Sequence, residues 1–276
     1  MNFFRKNRQE NWIIKLFKIT DKISAKQFDM EGCIISSIED ISFSSKLNAT
    51  FFDLNYRNSR RTLNGFKKAL KKQKEIVYSS VYFGSANSNT NFTISNPMLN
   101  YTEKPNNSKV DICINIGFEF TSQNSIENIA EKLIESYEFE YGYITKLPED
   151  YDSITERKIQ RGLFSTSVRS HEHDGVWTFH SVAILDGFIK HLYPINYLNK
   201  SHFNNPSVKE IIFKNGHTKK ITENITKWTL NLEEIEKLKT YERIKNISIV
   251  TAELEFLNNE KAKGFKDKME LKKGSC

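Results

Sequence analysis

The chain has 276 residues, of which 38% are hydrophobic and 27% charged, with 41 basic against 34 acidic side chains and a formal net charge of +7. That length excludes a minimal domain and allows one large domain or two small ones. With 20 Phe and 11 Tyr, the chain holds enough large rings to exclude wholesale disorder.

Near the start, Trp12-Ile13-Ile14-Lys15-Leu16-Phe17-Lys18-Ile19 is interrupted by two lysines and lacks a small-residue cleavage site, so a signal peptide is not expected. Nothing approaches the roughly 18 apolar residues of a membrane span. A cytoplasmic protein without membrane contact is expected. The cysteines Cys33, Cys113 and Cys276 form no CxxC and are odd in number. Neither a disulfide framework nor a thiolate zinc site is expected, and no cofactor is implied.

Leu47, Ala49 and Phe51 alternate, and Phe52, Leu54 and Tyr56 alternate on the shifted phase. A bulge at Phe51-Phe52 would join the two as one strand. Leu63, Phe66, Ala69 and Leu70 then form a helical stripe, and Ile76 to Phe83 reads as a strand. Residues 84–108 are rich in Asn and Ser and read as a linker or long loop with a short strand at Phe92-Thr93-Ile94.

The clearest strand is Val110 to Phe120. Val110, Ile112, Ile114, Ile116, Phe118 and Phe120 share one face, which predicts a strand buried on that side. Asn124, with Glu127 three residues on, predicts a helix cap. Ile126, Ile129, Ala130, Leu133, Ile134 and Tyr137 follow as an apolar stripe, and Phe139 to Ile144 predicts the returning strand of a β-α-β unit. Gly142 between Tyr141 and Tyr143 marks a close backbone approach or a bulge. Leu192 to Asn199 mixes apolar residues with Pro194 and two asparagines and reads as a packed irregular connection. A third copy of the pattern places a cap at Asn231 with Glu234, a helix through Leu232, Ile235, Leu238 and Tyr241, and a strand from Ile247 to Phe256. The expected fold is α+β, with repeated β-α-β units forming mixed or antiparallel sheets and helices packed on one face. The expected domains are an N-terminal α+β module over 1–105, a second α+β domain over 106–257 and a Lys-rich tail over 258–276.

Three clusters could carry function. Arg60, Arg61, Lys67, Lys68, Lys71 and Lys72 crowd one predicted helix, within a basic stretch over 59–74. They form either a solvated exterior or a partner-binding face. No recognised nucleic-acid motif accompanies them, so nucleic acid is the alternative rather than the expected partner. Glu149, Asp150 and Asp152 form an acidic patch that suits a protein partner or simple solvation. His171, His173 and Asp174 lie in a polar run. On a strand the two imidazoles would share a face, as a metal pair needs, but the neighbouring residues read as a surface turn. Nucleophile-elbow and phosphate-loop signatures are absent from the sequence.

The order of Tyr141-Gly142-Tyr143, Arg161-Gly162 and Asp186-Gly187, then Tyr193-Pro194-Ile195-Asn196-Tyr197-Leu198 and Trp228, resembles bacterial immunity proteins encoded beside polymorphic or type VI secretion toxins. The resemblance covers roughly residues 110 to 256. It implies a small cytoplasmic protein without catalytic residues that binds one cognate toxin and occludes its active site. The alternatives are a metal-assisted hydrolase using His171, His173 and Asp174, and a nucleic-acid-binding module using the basic helix. Because the chain is basic overall, the expected toxin is acidic or near neutral rather than a basic nuclease.

Overall fold

The computed structural model describes residues 9–21, 28–59, 62–84, 90–96, 107–154, 156–162, 166–168, 181–204 and 206–249. Two compact units divide the chain, Met1–Val168 and Arg169–Cys276. The boundary expected near residue 105 therefore falls inside the first unit, and the Lys-rich tail lies outside the described residues.

In the first unit, strand β1 (Glu10–Asp21) is apolar on both faces, as a strand flanked on both sides requires. It runs antiparallel to β6 (Asn107–Gly117) on one side and to β7 (Tyr141–Pro148) on the other. Strands β2 (Ala49–Leu54), β3 (Arg57–Ser59), β4 (Tyr78–Phe83) and β5 (Asn91–Ser95) extend the sheet in the order β7-β1-β6-β5-β4-β2-β3. The register places Ile14 opposite both Ile114 and Ile144, Phe92 opposite Ile114, Val81 opposite Phe92, and Phe52 opposite Val81. These side chains define one continuous apolar face, called here face A.

Face A is covered by α1 (Met30–Ser45), α2 (Leu63–Leu70) and α3 (Gln123–Tyr137). Phe66 of α2 stacks on Phe52 with ring centroids 4.6 Å apart. Lys18 projects from face A and donates to the carbonyl of Tyr137 at the end of α3, at 3.1 Å. Between these two helices lies α1, paired through Glu39 to Lys67 at 3.1 Å and through Asp40 to Lys132 at 2.7 Å. A small sheet of β8 (Tyr151–Asp152), β9 (Arg157–Arg161) and β10 (Thr166–Val168) completes the unit.

In the second unit, β11 (Ile195–Asn199), β12 (His217–Lys220) and β13 (Ile225–Thr229) pair antiparallel in the order β12-β13-β11. Helices α4 (Pro206–Lys214), α5 (Leu232–Lys239) and α6 (Glu242–Ile247) accompany them.

The class is α+β, with the antiparallel sheet dominant. Only β6-α3-β7 among the expected units is a parallel crossover, and β1 lies between its two strands. Strands β2 and β4 are direct antiparallel neighbours, and the third copy runs from α5 into α6. Ile247 thus ends a helix, because Ile244 and Ile247 at helical spacing compete with the alternation of Ile247 and Ile249. The expected strand beyond residue 249 lies outside the described residues.

Four local expectations change. The bulge falls between Ala49 and Phe51, one step earlier than Phe51-Phe52. The short strand expected at Phe92-Thr93-Ile94 stands as β5, but within the sheet rather than in a linker, with Phe92 and Ile94 buried between two strands. Ser122, rather than Asn124, caps α3 through the amide of Ser125, because β6 ends at Gly117 and a 3-10 turn at Phe118–Phe120 brings the helix entry forward. That turn also takes Phe118 off the strand face and onto the Trp12 ring, with centroids 5.6 Å apart. Finally, Ile195–Asn199 is a buried strand; only the residues before it are irregular.

Gly142 does meet the close approach read from its aromatic neighbours. A Cβ there would lie 2.7 Å from the carbonyl oxygen of Lys15 and 2.6 Å from Leu16 Cδ2. Gly142→Ala is expected to lower stability by about 2 kcal/mol in urea denaturation. Ile114→Asp puts a charge at the centre of face A and is expected to cost about 4 kcal/mol, with a large drop in melting temperature. An unchanged melting temperature would contradict the register of β6.

Candidate partner-binding face

The opposite side of the first unit's sheet, face B, carries a row of polar side chains. Register pairs align Asp53, Ser80, Thr93, Cys113, Lys15 and Tyr143 across β2, β4, β5, β6, β1 and β7. Directly opposed side chains on such a face stand about 5 Å apart, so the row is continuous. Ser80 Oγ and Thr93 Oγ1 share a hydrogen bond of 3.1 Å.

The inner half of the row is roofed by the segment after β7. Lys15 Nζ donates to the Ile154 carbonyl at 3.1 Å, and Cys113 Sγ donates to the Ser153 carbonyl at 3.5 Å. Tyr143 donates its hydroxyl proton to Glu156 Oε1. Burial of Lys15 disfavours its charge, but the facing Cys113 sulfur and the carboxylates of Glu156 and Asp111 more than offset this, so its pKa lies above the ordinary lysine value. The buried ammonium is held by a specific set of oxygens and by negative charge.

The outer half, on β2 and β4, is rimmed by rings, and Ser80 and Thr93 between them are buried. Phe51 and Tyr82 meet edge to face at 5.6 Å, and Tyr82 is 44% exposed. Four residues along β4, Tyr56 stacks on Tyr78 with centroids 4.4 Å apart and planes 11° apart. Tyr56 is 64% exposed and sits at φ 61°. Asn55 before it is also left-handed, at φ 52°. The pair makes the tight β2–β3 turn, where a glycine would normally take the second position. The turn is held by Asn55, whose Oδ1 accepts from the amides of Val77 at 3.0 Å and Tyr78 at 3.3 Å. A tyrosine is thus kept in a costly backbone conformation and presented to solvent. Partial burial pushes the Tyr78 phenol pKa up, a hydrogen bond with Ser80 opposes this, and the nearby Tyr82, Asp53 and Tyr56 add to the rise.

The sequence-derived candidates are dispersed. Arg60 and Arg61 lie outside the described residues. Lys67 is engaged by Glu39, whereas Lys68, Lys71 and Lys72 are exposed at the end of α2. This helix covers face A beside β2, so its lysines flank the same sheet edge as the rings of face B. Glu149, Asp150 and Asp152 belong to the roof that follows β7, away from α2. There the amide of Glu149 donates to the Gln9 carbonyl, Asp150 pairs with Lys158 at 3.5 Å, and the Asp152 carbonyl accepts from Glu156. The basic and acidic patches are therefore not brought together. His171, His173 and Asp174 lie outside the described residues. Among the described residues, no group of three His, Cys, Asp or Glu side chains has the arrangement of a metal site.

Sequence reasoning missed Lys15, Asp53 and the ring pairs. Alternation in Tyr78-Ser79-Ser80-Val81-Tyr82 held the signal, because it sends two tyrosines and one serine to a single face.

In the second unit, Gly187, Tyr193, Asn196 and Tyr197 are buried. Asn196 Nδ2 donates to the Tyr193 carbonyl at 2.6 Å, and its Oδ1 accepts from the Tyr193 amide at 3.2 Å, closing the loop around Pro194. Gly187 sits at φ 87°, and a Cβ there would lie 2.9 Å from the Ser201 carbonyl oxygen. His202, also buried, has Nε2 3.0 Å from the Phe188 carbonyl and Nδ1 3.0 Å from Asn199 Oδ1. Burial pushes its pKa down to about 4, outweighing the opposing effect of the carbonyls of Asn199 and Phe188.

No protein-family model matches this chain, and no curated protein matches it. Among solved structures, a T6SS protein of Pseudomonas aeruginosa is similar over 79% of this chain at 8% identity, with a TM-score of 0.47. The match covers 65% of that protein, so this chain spans less than two thirds of its length. Among the described residues, no helix is long and apolar enough to cross a membrane.

Two titrations are expected. The Lys15 pKa is raised in the folded state, so its contribution is complete below the unfolded value near 10.4 and disappears as pH rises through the folded value. Lys15→Met should cost about 3 kcal/mol at neutral pH, and the gap from wild type should close in urea titrations carried above roughly pH 10.4. His202 has the opposite sense. Its folded pKa near 4 lies below the unfolded 6.5, so the unfolded chain binds the extra proton between these values. Stability should fall by about 3 kcal/mol as pH drops through that window, and His202→Gln should flatten that slope.

Proposed function

We propose that the protein is a non-enzymatic immunity protein, which binds one bacterial toxin and blocks it by covering its active site. The resemblance over residues 110 to 256 supplies the class. The observation that carries a binding role is Tyr56, exposed at a left-handed φ and stacked on Tyr78. Strain of this kind, kept where no packing demands it, marks a functional position. Tyrosine anchors within a polar rim are the usual source of binding energy at protein interfaces. The outer half of face B is the proposed contact surface, with Tyr56, Tyr78, Phe51 and Tyr82 as anchors. Lys68, Lys71 and Lys72, on the other side of the same edge, would steer an acidic or near-neutral toxin toward it.

Exposed rings on a sheet also suit stacked bases of single-stranded nucleic acid. Asp53 stands between the two ring pairs and would repel a phosphate backbone there, which favours a protein partner.

The test is co-expression with the toxin encoded beside this gene. That toxin should be lethal alone and harmless with the wild-type chain. Tyr56→Gly relieves the turn and removes the ring. It should leave stability within about 1 kcal/mol of wild type and weaken toxin binding roughly tenfold or more. Changing Lys67, Lys68, Lys71 and Lys72 to Glu should slow association and flatten its salt dependence. Full protection by the Tyr56→Gly variant, with unchanged affinity, would exclude this face.

A further inference from the structure

We infer that Asn215–Gly216 is a deamidation site of this chain, and that the Glu234 carboxylate keeps it closed by holding the Gly216 amide proton. Asn215 lies in the second unit and has no part in the toxin interface proposed above.

The sequence holds two Asn-Gly steps, Asn64-Gly65 and Asn215-Gly216. Such a step is the most reactive setting for an asparagine, because no side chain on the following residue shields its nitrogen. Asn64 is inside α2, where the helical backbone keeps that nitrogen away from the side-chain carbonyl. Asn215 follows the last residue of α4 and lacks that protection, and Gly216 is exposed to water. The fold nonetheless demands both residues. Gly216 sits at φ 73°, and a Cβ there would lie 2.3 Å from the Thr229 carbonyl oxygen. Asn215 Nδ2 donates to the Ile211 carbonyl at 2.8 Å, which satisfies an acceptor in the last turn of α4.

The reaction is intramolecular. The Gly216 nitrogen loses its proton and attacks Asn215 Cγ. A C–N bond forms, the Cγ–Nδ2 bond breaks, and ammonia leaves as the cyclic imide closes. One water then opens the imide, at Cγ to give aspartate or at the backbone carbonyl to give isoaspartate. Two contacts oppose the first step. Glu234 Oε1 accepts from the Gly216 amide at 2.7 Å, and its charge disfavours an amide anion beside it. The bond from Nδ2 to Ile211 holds the leaving group in place. Glu234 is itself fixed, because its Oε2 accepts from the Asn231 amide at 2.8 Å while Asn231 Oδ1 accepts from the Glu234 amide at 2.8 Å. One carboxylate therefore caps α5 and closes the Asn215–Gly216 step. Conversion would set a new negative charge at the C-terminal end of α4, against the helix dipole. Isoaspartate would also lengthen the backbone just before β12, whose His217 pairs with Thr229.

The experiment incubates the full chain at mildly alkaline pH and reads Asn215 by mass spectrometry after proteolysis, with aspartate and isoaspartate resolved. Folded wild type should convert roughly tenfold or more slowly than the same chain in urea. Glu234→Ala should speed conversion in the folded protein about tenfold, the shift expected when a hydrogen bond to a charged group is lost. Glu234→Gln, which keeps an acceptor oxygen without the charge, should convert at an intermediate rate. Asn231→Ala loosens the same helix end but leaves the carboxylate, and should change the rate little. Wild-type conversion as fast when folded as in urea would overturn the assignment. So would equal acceleration in Asn231→Ala and Glu234→Ala, which would make the effect one of helix stability. Slower conversion in Glu234→Ala would make the carboxylate a base that promotes the reaction, and would overturn it too. If Glu234→Ala fails to fold by circular dichroism, Glu234→Gln decides alone: faster conversion supports the closing role, and an unchanged rate removes it.

Discussion

A lysine at the centre of a sheet constrains everything around it. Lys15 is paired by register with Cys113 on one side and Tyr143 on the other, and it is buried. An ammonium in that position costs several kcal/mol unless oxygens and negative charge surround it. Those come from Ile154 and Glu156, which follow β7, and from Asp111. The segment after β7 must therefore fold back over the inner half of face B. Its acidic residues are then used within the roof. The closure of that half of face B follows from one charge.

On the other face, the helices are held in one layer by α1. Its apolar side buries Cys33, Ile34, Ile38 and Ile41, while Glu39 and Asp40 reach lysines of the two flanking helices. Pairs this exposed contribute about 0–1 kcal/mol each, so their effect is on alignment more than on stability. They also moderate the crowding of like charge on α2, because Lys67 is turned toward an acidic neighbour and only the end of the helix stays unmatched in charge.

Elements with one strong period were legible in the sequence. The strand through Ile114, the stripe from Ile126 to Ile134, the short helix at Leu63–Leu70 and the Asn231 cap with Glu234 all stand where periodicity and capping chemistry put them. Elements buried on both sides were not. Strand β1 has no alternation because both of its faces are apolar, and β11 carries a buried Asn196 whose hydrogen bonds close a loop rather than mark a surface. Short β5 was read at Phe92-Thr93-Ile94, but its polar neighbours hid its place inside the sheet. The candidate site was illegible for a further reason. Its row is assembled from single residues on six strands, and no stretch of the chain contains more than one of them. The residues carrying the family resemblance were conspicuous because folding needs them, as Gly187 and Asn196 show, and the proposed contact residues lie elsewhere.

The place of β1 between β6 and β7 also bears on how the chain is made. Its partners end at Pro148, more than a hundred residues after its own last residue, Asp21. At ribosomal speeds of about 5–20 residues per second, that strand waits on the order of 6–25 s before both neighbours exist. An uninterrupted Trp-Ile-Ile-Leu-Phe-Ile run exposed for so long would seek other strands, including those of other nascent chains. Lys15 and Lys18 break the run into apolar pieces of three, two and one. The charge that is expensive to bury in the finished sheet is, during synthesis, what keeps its central strand from aggregating.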